Sequence, residues 1–245
     1  MISVRQLKKN LGSQEVLRGV DLEIANGETC VIMGRSGCGK SVLLKHFVGL
    51  FKPTSGGVWV DGEDITPLPE RKLGAIRKKI GMLFQSGALF DSMNVEDNIA
   101  FPLREAGIRK QKEIRDRVAE ALEMVDLAGE QKKMPENLSG GMRKRVGLAR
   151  TIVGRPACIL YDEPTTGLDP IASDSINHLI RRLQKRLSVT SVVVTHDMKT
   201  AFHTADHIAF LHEGRIYFHG RAAELRASQD EAIVNFIEGR SGESS

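Results

Sequence analysis

The feature that most constrains this chain is a short glycine-rich segment, GRSGCGKS, at residues 34–41. It follows the apolar run TCVIM and precedes the helical pattern KSVLLKHFVGL, so it lies between a predicted strand and a predicted helix. The segment fits G-x-x-x-x-G-K-[ST], and this context distinguishes a phosphate-binding loop from a glycine turn with a chance lysine. The sequence therefore predicts a phosphate site where a strand meets a helix.

The residue types of this loop suit a nucleotide. Glycines let backbone N–H groups close around phosphate oxygens, and the helix start adds a partial positive charge. Lys40 is expected to reach the β- and γ-phosphates, and Ser41 to ligate Mg²⁺. The predicted ATP-binding set is Gly34, Arg35, Ser36, Gly37, Cys38, Gly39, Lys40, Ser41 and Val42.

Apolar strand-like runs alternate with helical runs along most of the chain, which predicts a parallel sheet covered by helices on both faces. From about residue 91 to 150 the pattern is helical only, which predicts an inserted helical lobe. After it, the pattern predicts helices from Ser173 to Leu187 and from Met198 to Thr204, and a hairpin that turns at Glu213-Gly214. We expect one domain over residues 2–240, with core segments at about 2–90 and 151–240. The tail 241–245 is expected to be disordered.

Composition is ordinary for a soluble protein, with 41% hydrophobic and 27% charged residues. No apolar run approaches the roughly 18 residues that span a bilayer, and the N-terminus lacks a signal-peptide core. We therefore expect a cytoplasmic chain, whose role at a membrane would need a membrane partner. The net charge of +4 is too mild to indicate nucleic acid. Basic runs such as Arg143-Lys144-Arg145 are expected on solvated faces, with a DNA groove as the minority alternative.

Three strand ends carry polar side chains. The run CILYDE ends in Asp162 and Glu163, at the sheet edge where open α/β sheets bind ligands. Asp162 is expected to hold the Mg²⁺ shell, and Glu163 to accept a proton from the attacking water. Gln85 ends IGMLFQ and is suited to ligating Mg²⁺, while His196 ends SVVVTH and is suited to the γ-phosphate or the water. Taken singly, each of these residues is also compatible with an ordinary loop.

A second phosphate-like turn lies about a hundred residues after the first, in ENLSGGMRKRV. Ser139 is suited to capping the following helix, and Gly140 and Gly141 allow a phosphate close to the backbone. A capped helix start with no ligand explains the same residues. Two such phosphate-binding turns in one domain, called phosphate clamps below, nevertheless need an explanation.

Taken together, these residues resemble the ATP-binding cassette ATPases. The resemblance runs from about residue 2 to 240 and contains every motif in order. The motifs are the loop at 34–41, Gln85, the signature LSGGM at 138–142, the acidic strand at 158–163, GLDP at 167–170 and His196. The resemblance implies an α/β fold: a RecA-like P-loop NTPase core with an antiparallel β subdomain and an inserted α-helical subdomain.

The resemblance implies head-to-tail dimers, in which ATP is held between the glycine-rich loop of one chain and the signature of the other chain. It implies catalytic roles for Glu163, His196 and Gln85, and a Mg²⁺ site formed by Ser41, Gln85 and Asp162. The residues implied to contact the partner's ATP are Ser139, Gly140, Gly141 and Asp169.

The signature LSGGM and the run SGALFDSMNVEDNIAFPLRE look like those of the Mla/Mce-type lipid-transport ATPases. This implies a position on the inner face of the cell membrane, under a permease contacted between Ser86 and Arg104, and an Mce-type lipid-binding protein in the same complex. Phe90, Met93 and Val95 would then supply apolar contacts to the permease, or pack in the core. An importer of another substrate and a non-transport cassette protein remain alternatives, and no nucleic-acid partner is expected.

Leu11 departs from the family pattern. It aligns with the position, after the first strand, where the family usually has an aromatic residue stacked on adenine. Leucine offers only apolar contact, so about 0.5–1.5 kcal/mol of stacking is expected to be lost.

Overall fold

The computed structural model describes residues 1–240. Its described part contains ten strands: β1 (Ile2–Leu11), β2 (Gln14–Ile24), β3 (Thr29–Met33), β4 (Ser55–Val60), β5 (Glu63–Asp64), β6 (Ile80–Leu83), β7 (Cys158–Asp162), β8 (Thr190–Thr195), β9 (His207–His212) and β10 (Arg215–Arg221). The same residues contain nine α-helices: α1 (Lys40–His46), α2 (Glu70–Lys79), α3 (Val95–Glu105), α4 (Gln111–Met124), α5 (Gly140–Ile152), α6 (Pro170–Leu187), α7 (Met198–Thr204), α8 (Ala222–Arg226) and α9 (Glu231–Ile237).

The chain divides into two compact units. The first unit joins Met1–Ile76 to the chain from Thr190 onward, and the second unit is Arg77–Val189. The lobe boundaries expected near residues 91 and 150 stay a prediction. The tail expected at 241–245 lies outside the described residues.

Two sheet regions build the first unit. One is antiparallel, in the order β2-β1-β4-β5. In the other, β3 pairs in parallel with both β8 and β9, and β10 returns antiparallel to β9. Every residue of β3 and β8 is buried, as expected for parallel strands covered on both faces. The hairpin predicted to turn at Glu213-Gly214 is confirmed.

In the second unit, a parallel pair of strands carries a set of helices. β6 pairs with β7 in register from Ile80↔Cys158 to Leu83↔Tyr161. Residues 95–152 contain α3, α4 and α5 and no strand, so the helical interval predicted from the sequence is confirmed. Asn94 starts α3 by accepting a hydrogen bond from the Asp97 amide, which satisfies one of the free N–H groups of the first turn.

Helix α6 begins three residues earlier than the apolar pattern indicates. The pattern starts the helix at Ser173, whereas the structure starts it at Pro170. Asp169 caps it, because its carboxylate accepts hydrogen bonds from the amides of Ile171 and Ala172 at 2.9 Å, and proline suits the first helical position. The first residues were missed because the apolar stripe that marks the helix begins only at Ile176, and the exposed Ile171 lies outside it.

None of the described helices combines the length and the apolar character that crossing a membrane requires.

Candidate nucleotide-binding and hydrolysis site

The glycine loop joins the buried end of β3 to the start of α1. Gly39 precedes the helix with φ 106, a left-handed conformation that a side chain would strain. Lys40 is only 6% exposed, and its Nζ donates to the carbonyls of Gly34 at 2.9 Å and Arg35 at 3.0 Å. The loop thus wraps around its own lysine, which leaves the ammonium group where a phosphate chain would be bound.

The remaining loop residues differ in exposure. Arg35, Ser36 and Gly37 are exposed, while Cys38, Ser41 and Val42 are half-buried. An exposed turn followed by a half-buried hydroxyl is compatible with a ligand that lies across the turn.

His196 lies in the same unit, directly after β8. The register pair Met33↔Thr195 places the first loop residue, Gly34, and His196 one step beyond paired positions on adjacent strands. His196 is exposed. Its neighbour Asp197 caps α7. Burial alone would raise the pKa of Asp197, but hydrogen bonds from Thr200 and the Lys199 amide, with the charge of His196, hold that pKa below its usual value.

Leu11 is the last residue of β1 and pairs with Gln14, so it belongs to the strand end rather than to the loop that the sequence predicted. It is 42% exposed. An apolar side chain at this exposure offers a surface on which a planar ring can pack.

In the second unit, Gln85 and Glu163 lie at equivalent positions beyond the paired strands β6 and β7. Each lies two residues beyond the register pair Leu83↔Tyr161. Asp162 ends β7 and is buried. Glu163 adopts φ 49, an uncommon conformation for a residue with a side chain, which clusters at functional sites. The Thr166 hydroxyl donates to its carboxylate at 3.3 Å.

Ser139 caps α5, and its Oγ accepts a hydrogen bond from the Met142 amide at 3.2 Å. Ser139 and Gly140 are exposed, and Gly141 is half-buried. A Cβ built on Gly140 would lie 3.3 Å from the Leu168 side chain, next to Asp169. The second unit therefore brings together the residues of the signature and of GLDP, while the glycine loop, His196 and Leu11 belong to the first unit.

The basic run 143–145 was expected on a solvated face, and the structure shows that this is wrong for two of its members. Lys144 is only 5% exposed, and its Nζ donates to the carbonyls of Gln85 and Glu163. Burial lowers its pKa, and the charges of Glu163 and Asp162 act in the opposite direction. Arg145 contacts Asp126 at 2.7 Å and is largely buried. A spacing of i, i+3 and i+7 from Lys144 to Gly147 and Thr151 was the available sign that this position faces inward.

Helix α5 lies against the segment that carries Gln85. A Cβ on Gly147 would meet the Gly87 carbonyl at 3.0 Å, a tight contact that glycine avoids. Arg150 donates to the carbonyls of Gly87 and Ala88 at 2.9 and 2.8 Å. The segment after β6 is thus held on α5 by close packing and by hydrogen bonds.

The fold and these motifs define a class of protein. The model of the family described as "ABC transporter" matches residues 17–166, and the chain belongs to that family, as an ATP-binding subunit with the P-loop NTPase fold expected from its sequence.

Similar proteins and solved structures agree with this family assignment. The chain is 43% identical over 239 residues to the probable ribonucleotide transport ATP-binding protein mkl of Mycobacterium leprae. This alignment covers 98% of this chain and 69% of that protein. It is 41% identical to the intermembrane phospholipid transport system ATP-binding protein MlaF of Haemophilus influenzae, over 98% of this chain and 91% of that protein. The MlaF of Escherichia coli is 39% identical over 98% and 89%.

A dimeric post-hydrolysis structure of the ATP-binding cassette MJ0796, bound to ADP and Pi, superposes with a TM-score of 0.82. It is 34% identical and covers 90% of this chain and 98% of that chain. The cbiO1 structure from Clostridium perfringens, part of the ABC transporter complex cbiONQ, has a TM-score of 0.85, with 30% identity over 98% of this chain and 94% of that chain.

Proposed function

We propose that this chain couples Mg²⁺-dependent ATP hydrolysis to phospholipid transport, as the cytoplasmic ATPase of an Mla/Mce-type transporter at the inner face of the cell membrane. The observation that carries the proposal is the similarity to two MlaF proteins over nearly their whole lengths. The motif set required for hydrolysis is intact, which argues against a passive nucleotide-binding scaffold.

The hydrolytic roles are divided between the two units. The glycine loop and Lys40 bind the phosphates, and Leu11 packs on the base. Ser41, Gln85 and Asp162 would hold Mg²⁺, since hydroxyl, amide and carboxylate oxygens are the donors that this ion prefers. When bound, the ion neutralises charge on the β- and γ-phosphate oxygens. Glu163 accepts the proton of the attacking water, and His196 orients that water or the γ-phosphate.

A second copy of the chain completes each site in this proposal. Ser139, Gly140 and Gly141 are accessible at the start of α5, where amide groups and the helix dipole favour an anion. Asp169 directly follows Leu168, whose side chain lies 3.3 Å from the place of a Cβ on Gly140. These residues contact the ATP of the partner in a head-to-tail dimer, which explains why one chain has two phosphate clamps. The dimeric structure bound to ADP and Pi supports this arrangement.

The second unit offers a surface for the permease. An apolar groove of about 710 Å³ lies beside the segment after β6. Its lining includes Phe84, Phe90, Phe101, Pro102 and Met82. Phe84 and Phe90 are 38% and 41% exposed. We assign this groove to a helix of the membrane permease. Phe90, Phe101 and Pro102 belong to the region between Ser86 and Arg104 that the sequence indicated, whereas Met82 and Phe84 precede it.

Not all of the apolar residues named for this contact serve it. Val95 is fully buried and therefore packs in the core, which decides between its two possible roles. Met93 is half-buried and is not among the groove residues. Phe90 alone of the three lines the groove, where it stands 4.9 Å from Phe101, centroid to centroid.

Transport assays with the complete complex test the cargo. The chain is co-expressed with its genomic neighbours, and a complex that contains a permease and an Mce-type protein is reconstituted. ATP-dependent transfer of fluorescent phospholipid between vesicles is then measured beside uptake of labelled ribonucleotide. The ribonucleotide arm is included because of the similarity to mkl. Phospholipid transfer alone supports the proposal. Ribonucleotide uptake without lipid transfer contradicts it.

A further inference from the structure

The side chain of Lys144 joins two segments of the proposed hydrolytic site. It lies on α5, five residues after Ser139, and it is almost completely buried. Its Nζ donates to the carbonyl of Gln85 and, at 3.4 Å, to the carbonyl of Glu163. One ammonium group thus contacts the backbone carbonyls of both residues that lie two positions beyond the register pair Leu83↔Tyr161.

Anchoring the segment after β6 does not require this lysine. Gly147 and Arg150 already hold Gly87 and Ala88 against α5. Thr151 adds a hydrogen bond to the Met82 carbonyl at 3.3 Å. A buried ammonium group is costly unless it is paired and hydrogen-bonded, and the partners that it finds here are the carbonyls of Gln85 and Glu163. Packing alone does not explain a charged residue here.

The backbone of Glu163 supplies a reason for the lysine. Its φ of 49 is a conformation that persists only when the surroundings hold it. The Glu163 carbonyl accepts hydrogen bonds from Lys144 and from the Thr166 amide, the latter at 3.3 Å. Fixing this carbonyl fixes the direction in which the Glu163 side chain leaves the backbone. The contact with the Gln85 carbonyl does the same for Gln85.

We infer that Lys144 is a positioning residue for hydrolysis, which sets the backbone at Gln85 and Glu163 so that both side chains point at the reacting phosphate. The inference rests on the proposed roles of those two residues. A misplacement of about 1 Å can cost roughly 10²-fold in rate, so loss of the lysine affects turnover more than binding. No contact of Lys144 with ATP is needed.

Kinetics of three variants of the full chain test this inference. Lys144→Met keeps an unbranched side chain that lacks the terminal donor, so kcat should fall at least about tenfold. KM and the affinity for a fluorescent ATP analogue should stay within about twofold, and urea unfolding should show that the variant is folded under the assay conditions. Lys144→Gln keeps a shorter donor and should have an intermediate kcat. Thr151→Val is the matched control, since it alters the same helix face without touching Gln85 or Glu163, and its kcat should be unchanged.

A wild-type kcat in Lys144→Met overturns the inference. So does a fall in kcat that Thr151→Val reproduces, because that result makes the effect one of helix packing. Glu163→Gln, measured in parallel, separates this failure from a failure of the proposed function. If Glu163→Gln still hydrolyses ATP at the wild-type rate, the proposed function fails whatever the Lys144 variants do.

Discussion

Leu83 and Tyr161 are register partners in the parallel strands β6 and β7. Because the two strands run in the same direction, the residues two steps further on, Gln85 and Glu163, emerge from the same edge of the second unit. The register thus gives a physical basis for assigning one chemical task to residues 78 positions apart in the sequence. The predictions below test the account that follows from it.

Ser139 is predicted to act on the nucleotide of the partner chain. Ser139→Arg places bulk and charge where the partner's γ-phosphate lies, so ATPase activity should vanish. Monomer affinity for ATP should survive, because Ser139 does not serve the chain's own loop. ATP titration and a turnover assay decide this.

The control for Ser139 is glycine. Ser139→Gly removes the hydroxyl that accepts from Met142 but costs only a few tenths of a kcal/mol of helix stability. It should keep more activity than the arginine variant. An equal loss of monomer ATP affinity in Ser139→Arg would mean that both clamps act on one nucleotide in one chain.

Leu11 is predicted to face the adenine. Leu11→Tyr should tighten ATP binding several-fold, because about 1 kcal/mol of stacking corresponds to roughly a fivefold change. GTP binding is expected to tighten as well, since guanine also stacks. If the folded variant binds ATP no better than wild type, Leu11 does not occupy the base position.

Phe90 is predicted to contact a helix of the permease. Phe90→Ala removes an exposed ring from the groove, so co-purification of the permease should weaken while the ATPase activity of the isolated chain is kept. Tyr217→Ala is the matched control, because it removes another exposed aromatic side chain that lies in the first unit. Equal permease recovery with both variants would argue against the groove.

Asp126 is predicted to stabilise the second unit in a pH-dependent way. It accepts from Arg182 at 2.6 Å and Arg145 at 2.7 Å. Burial acts to raise the pKa of this carboxyl, but the hydrogen bonds and charges of the two arginines lower it overall. A lowered pKa gives stability that is complete above the unfolded-state pKa, about 3.9, and is lost as pH falls through the folded-state value.

Asp126→Asn tests that stability, and asparagine tolerates the positive φ of 58 at this position. The side chain is 51% exposed, so solvent screening limits the expected loss to about 1 kcal/mol at neutral pH. Urea unfolding at pH 7 and near pH 3, which is below the unfolded-state pKa, measures it. The difference between variant and wild type should shrink at the lower pH. A difference that grows on acidification would contradict the assigned sign.

Much of the fold follows from local sequence. The glycine loop, the apolar runs of β3, β7 and β8, and the cap of α5 each lie within a few residues, so periodicity and residue type are enough to predict them. Their outcomes agree with the structure. Helix α7 was predicted with its exact ends, Met198–Thr204.

The parts that were missed depend on long-range contacts. Lys144 belongs to a run of three basic residues, and its carbonyl partners Gln85 and Glu163 are 59 and 19 residues away. No local pattern reports such a pairing. The burial of Val95 was open for the same reason, since a valine at a helix start suits a core and an interface equally well. Contacts that fold distant segments together decided both cases.

Hydrolysis at Glu163 is the central claim, and the most direct measurement is the ATP turnover of Glu163→Gln. Glutamine keeps size and hydrogen bonding but removes the proton acceptor. With Mg²⁺ present, turnover should fall at least about 10²-fold, within the range that general bases contribute. ATP binding should survive, and an ATP-dependent dimer should accumulate on size-exclusion chromatography. Near-normal turnover, or loss of turnover together with loss of ATP binding, would contradict the account.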